Sequence, residues 1–269
     1  MSGERIVVTG AASGIGAATM AELRRRGARV LGLDLRADEP ELIACDVRDQ
    51  QAVDRAVAEA IHRLGGGLDV LINCAGLATP QSAGLPPDER ALAVIDVNMI
   101  GPWRVTSAAL PALRFERGRV VNVASGMAFV AQPFAAAYAM SKHGLVAYSQ
   151  ALRLEHGDAI SVTTVYPGYI RTPIHKDSED FGLTLEGSSP EERLEDAVNA
   201  LVRAALGDPP ARDVITTRTG KLTVALTRHL PGALVDRLIL RAARKGLKRH
   251  RLQDVSGPVA EFARRLAGS

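Results

Sequence analysis

Short apolar runs recur along the first two thirds of the chain, at Ile6–Val8, Val30–Leu33, Leu42–Cys45, Val70–Ile72, Val120–Val123 and Val162–Val165. They are nearly continuous rather than alternating, as in strands covered on both faces, and so predict a parallel sheet. Stretches with helical periodicity separate them, such as Ala17–Arg26 and Gln51–Leu64, of a length that suits crossover helices. Right-handed crossovers place such helices on both faces of an open sheet. Ser189-Pro190-Glu191-Glu192 has the form of a capping box with proline at the first helical position, which predicts a helix to about Ala205. Val214-Ile215-Thr216 predicts a last strand. No linker-like stretch or repeat divides this part. The expected fold is α/β: a doubly wound, Rossmann-like parallel sheet of about seven strands in one domain, residues 1–220, with a helical C-terminal appendage over 221–269.

Composition narrows the class. A chain of 269 residues with 46% apolar content buries one large core. The residues after Met1 (Ser2, Gly3, Glu4, Arg5) form no apolar signal core, and no apolar run approaches the roughly 20 residues of a spanning helix. A cytoplasmic location is the expectation. Cys45 and Cys74 lie in apolar surroundings and are expected to be inert core thiols, not a disulfide framework. The net charge of +3 hides an asymmetry. From Arg218 to Ser269 there are 12 Lys/Arg against 3 Asp/Glu, while the rest of the chain carries 21 against 27.

Candidate chemistry begins at the first strand. Ile6-Val7-Val8-Thr9 runs into Gly10-Ala11-Ala12-Ser13-Gly14-Ile15-Gly16 and then a helical pattern. In that order Gly10 allows the tight turn, Gly14 lets backbone approach a pyrophosphate, and Gly16 permits close helix packing. The free N–H groups and positive end of the helix then favour phosphates. Asp34 ends the second strand, 18 residues after Gly16, where a carboxylate accepts the ribose 2′-hydroxyl and repels a 2′-phosphate. NAD is therefore favoured over NADP. Arg36 stands against that choice, since a nearby arginine can accommodate the phosphate, although positions 11 to 15 hold no basic residue.

Tyr138-Ala139-Met140-Ser141-Lys142 sets a phenol and an ammonium four residues apart, on one face of a helix spanning Ala135–Leu152. Moving a tyrosine from its ordinary pKa of about 10 to near 7 requires on the order of 4 kcal/mol of preference for the phenolate. A neighbouring ammonium and an oxidised nicotinamide are suitable causes. The strand Arg119–Val123 delivers Ser125 to the sheet edge where open α/β sheets bind ligands, and a serine hydroxyl there can donate to a substrate oxygen as charge develops. Asn73-Cys74-Ala75-Gly76 ends the preceding strand, Asn98 sits where a helix could present it to that edge, and Pro167-Gly168 follows the sixth strand.

Together these motifs resemble the short-chain dehydrogenase/reductase family, from Arg5 to about Pro173. The resemblance rests on Thr9-Gly10-x3-Gly14-x-Gly16, Asp46-Val47, Asn73-x-Ala75-Gly76, Asn98, Ser125, Tyr138-x3-Lys142, and Pro167-Gly168 with Thr172. The 13-residue step from Ser125 to Tyr138 is also the family's. It implies that Tyr138 is the acid/base, that Ser125 orients the substrate oxygen, and that Lys142 binds the nicotinamide ribose and lowers the phenol pKa. Asn98 is implied to hold a water linking Lys142 to solvent. Ser13 and Ile15 belong to the implied phosphate-binding turn, Asp46 and Val47 to the adenine contact, and Asn73 to Gly76 to the cofactor wall. Ile170 and Thr172 are implied to hold the carboxamide. Cys74 departs from the alanine often found in that loop. The resemblance also implies a homodimer or homotetramer, paired through the helices after the fourth and fifth strands.

Substrate-facing positions are expected at Met127, Phe129, Phe134, Tyr169 and in the loop 174–189. Their apolar character suggests a small lipophilic alcohol or ketone. The six histidines have no ligand spacing, so no metal is expected. Pro231–Leu252 predicts a helix with Leu234, Val235, Leu238, Ile239 and Ala242 in an apolar stripe and many basic residues on its other faces. That helix either packs on the domain or a partner subunit, or lies peripherally on an anionic membrane. Nucleic acid is disfavoured because no aromatic platform accompanies the charge. The expected function is NAD-dependent interconversion of a lipophilic secondary alcohol and its carbonyl. Its rivals are an NADP-dependent carbonyl reductase, and a silent NAD(P)-sensing or membrane-associated binding protein.

Overall fold

The computed structural model describes residues 3–175, 191–249, 261, 262 and 264. Seven parallel strands form one sheet: β1 (Arg5–Thr9), β2 (Arg29–Asp34), β3 (Leu42–Ala44), β4 (Val70–Asn73), β5 (Arg119–Val123), β6 (Ser161–Tyr166) and β7 (Asp213–Ile215). Their order is β3-β2-β1-β4-β5-β6-β7. Ile6 of β1 registers with Val30 on one side and Val70 on the other, so the chain reverses its direction of travel across the sheet between β1 and β4. Above the C-terminal ends of those two strands the crossovers diverge and leave a crevice.

Helices cover both faces because both faces are apolar. On one side α1 (Gly14–Arg25) and α6 (Leu194–Leu206) close over Ile6, Val8, Val30 and Ile72. On the other, α2 (Gln50–Arg63), α4 (Gly101–Phe115) and α5 (Ala136–His156) close over Val7, Leu31, Leu71 and Val120. Asp49 caps α2 by accepting from the Gln51 and Ala52 N–H groups, which fixes that boundary. Ahead of α4, α3 (Glu89–Ile95) runs through a wide π turn over Asp96–Ile100. Trp103 and Phe115 on α4, and Met140 and Leu154 on α5, remain exposed.

Several boundaries differ from the sequence pattern. α1 begins at Gly14 rather than Ala17, because its glycine-rich first turn hides the helical pattern. β3 stops at Ala44, although the Cys45 N–H still donates to the Asp34 carbonyl at 2.7 Å. Glu191 and Glu192 of the capping box are not helical. α6 starts at Leu194, with Arg193 in extended conformation as its N-cap. Ser189 and Pro190 lie outside the described residues, as does most of the expected substrate loop. Beyond β7 a helix without a clear sequence signal, α7 (Arg218–His229), crosses the boundary set at Gly220, and α8 (Gly232–Arg249) follows. Val224 of α7 is buried, so the appendage begins as part of the domain.

Candidate active site

A cavity of about 650 Å³ occupies the crevice at the C-terminal ends of the strands. At its centre the β1–α1 turn approaches the β4 loop so closely that side chains are excluded. Gly10 has φ +68°, and a Cβ there would lie 2.7 Å from the Ala75 Cα. Gly16 has no room either, since its Cβ would meet the Gly10 carbonyl oxygen at 2.1 Å. Thr9 fastens the same junction, its hydroxyl accepting from the Cys74 and Ala75 N–H groups at 3.0 Å each.

The first turn of α1 faces this cavity through Ser13, Gly14, Ile15 and Gly16. Ser13 is the N-cap but makes no side-chain cap, and the first turn contains no acid. Its N–H groups and dipole are thus left for an anion. Asp34 stands beside the turn, one oxygen accepting from the Ala12 N–H at 3.0 Å and the other from the Arg36 N–H at 3.3 Å. The Arg36 guanidinium folds back to donate to the Ala12 carbonyl at 3.1 Å. Asp46 and Val47 line the far end, where Arg48 pairs with Asp46 at 2.7 Å and holds its carboxyl below the usual range. Ala75 and Gly76, then Pro167, Gly168, Ile170 and Thr172, line the opposite wall. An uncapped helix start, a glycine-only turn and a carboxylate at its flank fit a dinucleotide.

The chemistry-bearing side chains converge at the other end. Ser125, which caps a short turn by accepting from the Met127 N–H at 3.2 Å, lines the same cavity as the Tyr138 phenol. Burial raises the Tyr138 pKa above its ordinary value, and the Ser125 hydroxyl opposes that shift. The Lys142 Nζ donates to the Val123 carbonyl at 2.9 Å and lies 5.7 Å from the centre of the Tyr138 ring. Burial pushes the Lys142 pKa down to about 8. Burial of the site therefore disfavours charge on both groups. Cys74 lines the same wall. Desolvation raises its thiol and that of Cys45 to about 11, which leaves both as free thiols poor in thiolate.

These features coincide with a sequence match to the short chain dehydrogenase model over residues 4–181. The chain belongs to the short-chain dehydrogenase family. It is 32% identical over 226 residues to oxidoreductase UcpA of Salmonella typhimurium, covering 78% of this chain and 84% of that protein. It is 36% identical over 189 residues to a putative ketoacyl reductase of Streptomyces coelicolor, covering 64% and 72%. Among solved structures, a short chain dehydrogenase from Burkholderia cenocepacia in complex with NADP superposes with TM-score 0.75 at 28% identity, covering 88% of this chain and 98% of that one. The protein is thus an NAD(P)-dependent oxidoreductase.

Within this short-chain dehydrogenase two expected site residues stand behind the cavity wall, not on it. Asn73 is 2% exposed, and its amide donates to Thr106 at 3.0 Å and to Asn122 at 2.8 Å, tying β4 to α4 and β5. Asn98 sits in the π turn, a distortion common at functional sites. Its carbonyl accepts from the Leu77 N–H at 2.7 Å, and its amide donates to the Leu77 carbonyl at 2.8 Å and to Ser141 at 3.1 Å. The side chain is committed to holding the Gly76–Leu77 loop against α5. Met127, Phe129 and Tyr169 reach the cavity as expected, whereas Phe134 does not line it and packs edge-on against Phe262 of the tail at 5.3 Å.

Glu192 is the residue that sequence reasoning misplaced, as a helix-capping side chain. Its backbone N–H donates to the Tyr169 carbonyl at 2.7 Å. Its Oε2 accepts from the Gly168 N–H at 2.6 Å and the Thr216 hydroxyl at 2.7 Å. The side chain is 6% exposed, and its Oε1 meets no partner among the described residues. It clamps the Pro167-Gly168 turn to the ends of β6 and β7. Burial raises its pKa above the ordinary 4.5. Because the folded value is raised, the stability this carboxyl contributes is complete below the ordinary value and declines as pH rises through the folded one. Glu192→Gln removes the buried charge while keeping an acceptor. The melting temperature of the variant relative to wild type should therefore rise from acid to neutral pH; an identical difference at both would mean the carboxylate carries no burial cost. Thr219, Gly220, Thr223 and Val224 of α7 also line the cavity and were not anticipated, because the sequence boundary fell inside their helix.

Proposed function

We propose that this enzyme interconverts a lipophilic secondary alcohol and its ketone with NAD as the preferred coenzyme. The observation that carries the proposal is the convergence of Ser125, Tyr138 and Lys142 in the same cavity as the uncapped start of α1. A bound nicotinamide supplies the carbon that accepts or returns hydride. The protein's own groups handle the proton. Ser125 donates a hydrogen bond to the substrate oxygen and so places the carbinol carbon. Tyr138 takes the hydroxyl proton in oxidation and returns it in reduction. An ammonium on Lys142 favours the phenolate form of Tyr138, and the Val123 carbonyl fixes the direction of its Nζ. Met127, Phe129, Val130, Ile174 and Ile215 give the substrate end an apolar wall, which supports a lipophilic substrate.

Asp34 supports NAD. Its carboxylate is anchored to the turn, where it would accept from a ribose 2′-hydroxyl and repel a 2′-phosphate. A second reading, NADP, is favoured by Arg36 beside the same turn and by the NADP carried by the Burkholderia relative. Calorimetric titration with both coenzymes separates them. NAD is expected to bind at least about tenfold more tightly, the effect of one charge-assisted hydrogen bond. Asp34→Ala should erase that margin. Tighter binding of NADP to the unaltered protein would overturn the choice. A screen of steroids, long-chain alcohols and small diols for NADH production then tests the substrate class.

A further inference from the structure

Several arginines of the body are held in ion pairs. Arg5, Arg24, Arg48 and Arg104 each pair with an acid, at 2.7, 2.6, 2.7 and 2.6 Å respectively. On α7 and α8, Lys221, Arg237 and Arg241 are exposed and pair with no acid among the described residues. Exposed leucines lie among them: Leu222 is 60% exposed, Leu234 41% and Leu238 43%. By helical period, Leu234, Arg237, Leu238 and Arg241 fall on one side of α8, while Val235 and Ile239 fall on another and are half-buried. One helix face thus offers both leucine and unpaired arginine to the surroundings. Water suits only the arginines. An anionic lipid surface suits both, because the leucines enter the boundary between headgroups and acyl chains while the guanidiniums reach up to the phosphates. In sequence, Arg244, Lys245, Lys248 and Arg249 continue the positive run.

The placement of α7 connects this surface to the active site. Lys221 and Leu222 are exposed, whereas Thr219, Gly220, Thr223 and Val224 of the same helix line the cavity that holds Tyr138. We propose that α7 and α8 seat the protein on an anionic membrane surface, bringing the substrate end of the cavity beside the bilayer so that a lipophilic substrate enters from the lipid. The docking rests on charge and exposure alone; only the delivery of substrate rests on the proposed reaction.

The test is sedimentation of the full-length protein with phosphatidylcholine vesicles, with and without phosphatidylglycerol, at low and high salt. The protein should sediment only with phosphatidylglycerol present and should be released by salt. The double variant Arg237→Glu/Arg241→Glu should bind at least about thirtyfold more weakly. Neither arginine lines the cavity, so unchanged NAD affinity in that variant verifies its fold. The proposal is overturned if the protein stays in the supernatant with both vesicle types, if it sediments equally with phosphatidylcholine alone, or if the double variant sediments like wild type. Retention on heparin without vesicle binding would assign the charge to a nucleic-acid-like polyanion instead, and a change only in oligomeric mass would assign the face to a second copy. Sedimentation requires no turnover, so inactivity toward alcohols would defeat the proposed reaction and leave the docking result standing.

Discussion

Tyr138→Phe should lower kcat for alcohol oxidation by about 10²- to 10⁴-fold, the range that a positioned proton-transfer group contributes. The substitution removes one oxygen from a half-buried ring and keeps the packing of Tyr138 against Ala91 and Val94, so the fold and coenzyme affinity should persist. Steady-state kinetics alongside an NAD titration measure both. The pH dependence follows from the proton's direction of travel. Burial holds the phenol above its ordinary value, so through the neutral range it is an acid. Oxidation needs the base form, so kcat/KM should climb with pH on the alkaline side and that limb should vanish in the variant. Lys142 sets a counter-limit, because burial lowers its pKa to about 8 and its ammonium is lost above that. Wild-type turnover by Tyr138→Phe would remove the phenol from the mechanism.

Gly16→Ala is expected to weaken both coenzyme binding and the fold. The new methyl would lie 2.1 Å from the Gly10 carbonyl oxygen and 2.9 Å from its carbon, both backbone atoms that no rotamer change can move. Either α1 or the Gly10 turn must shift, with an overpacking cost of about 1–3 kcal/mol. Any such shift displaces the N–H groups at the start of α1. NAD affinity should therefore fall by at least about tenfold, the loss from one displaced charge-assisted hydrogen bond, and the melting temperature should drop. Gly232→Ala is the matched control, since a Cβ there meets nothing within 4 Å. If Gly16→Ala binds NAD like wild type, the turn does not hold the phosphates.

The convergence of Ser125, Tyr138 and Lys142 on one cavity was legible because each residue is reported by local pattern. Tyr138 and Lys142 share a helix face by spacing, and Ser125 follows a strand that ends at the cavity. The glycine turn was legible for the same reason, since its residues are contiguous and their conformations serve one backbone path. Legibility failed where a side chain's role depends on which distant segment it meets. Asn73 reads as part of a cofactor-lining loop, yet its amide faces Asn122 and Thr106, 49 and 33 residues away. Glu192 reads as a helix cap, yet its carboxylate is drawn to Gly168 and Thr216, each 24 residues away. A buried polar group goes where its hydrogen bonds are met, and local propensity yields to that requirement.

Sequence alone determined the parallel α/β architecture, the dinucleotide turn, and the set of groups available to move a proton. All three follow from short-range periodicity and from what backbone stereochemistry permits at glycine. Only the tertiary structure decided that Asn98 braces the Gly76–Leu77 loop, that Glu192 clamps the turn after β6, and that α7 belongs to the wall of the cavity. Those outcomes are contacts between segments far apart in the chain, and each is selected by the satisfaction of buried polar atoms and by packing once the sheet has assembled.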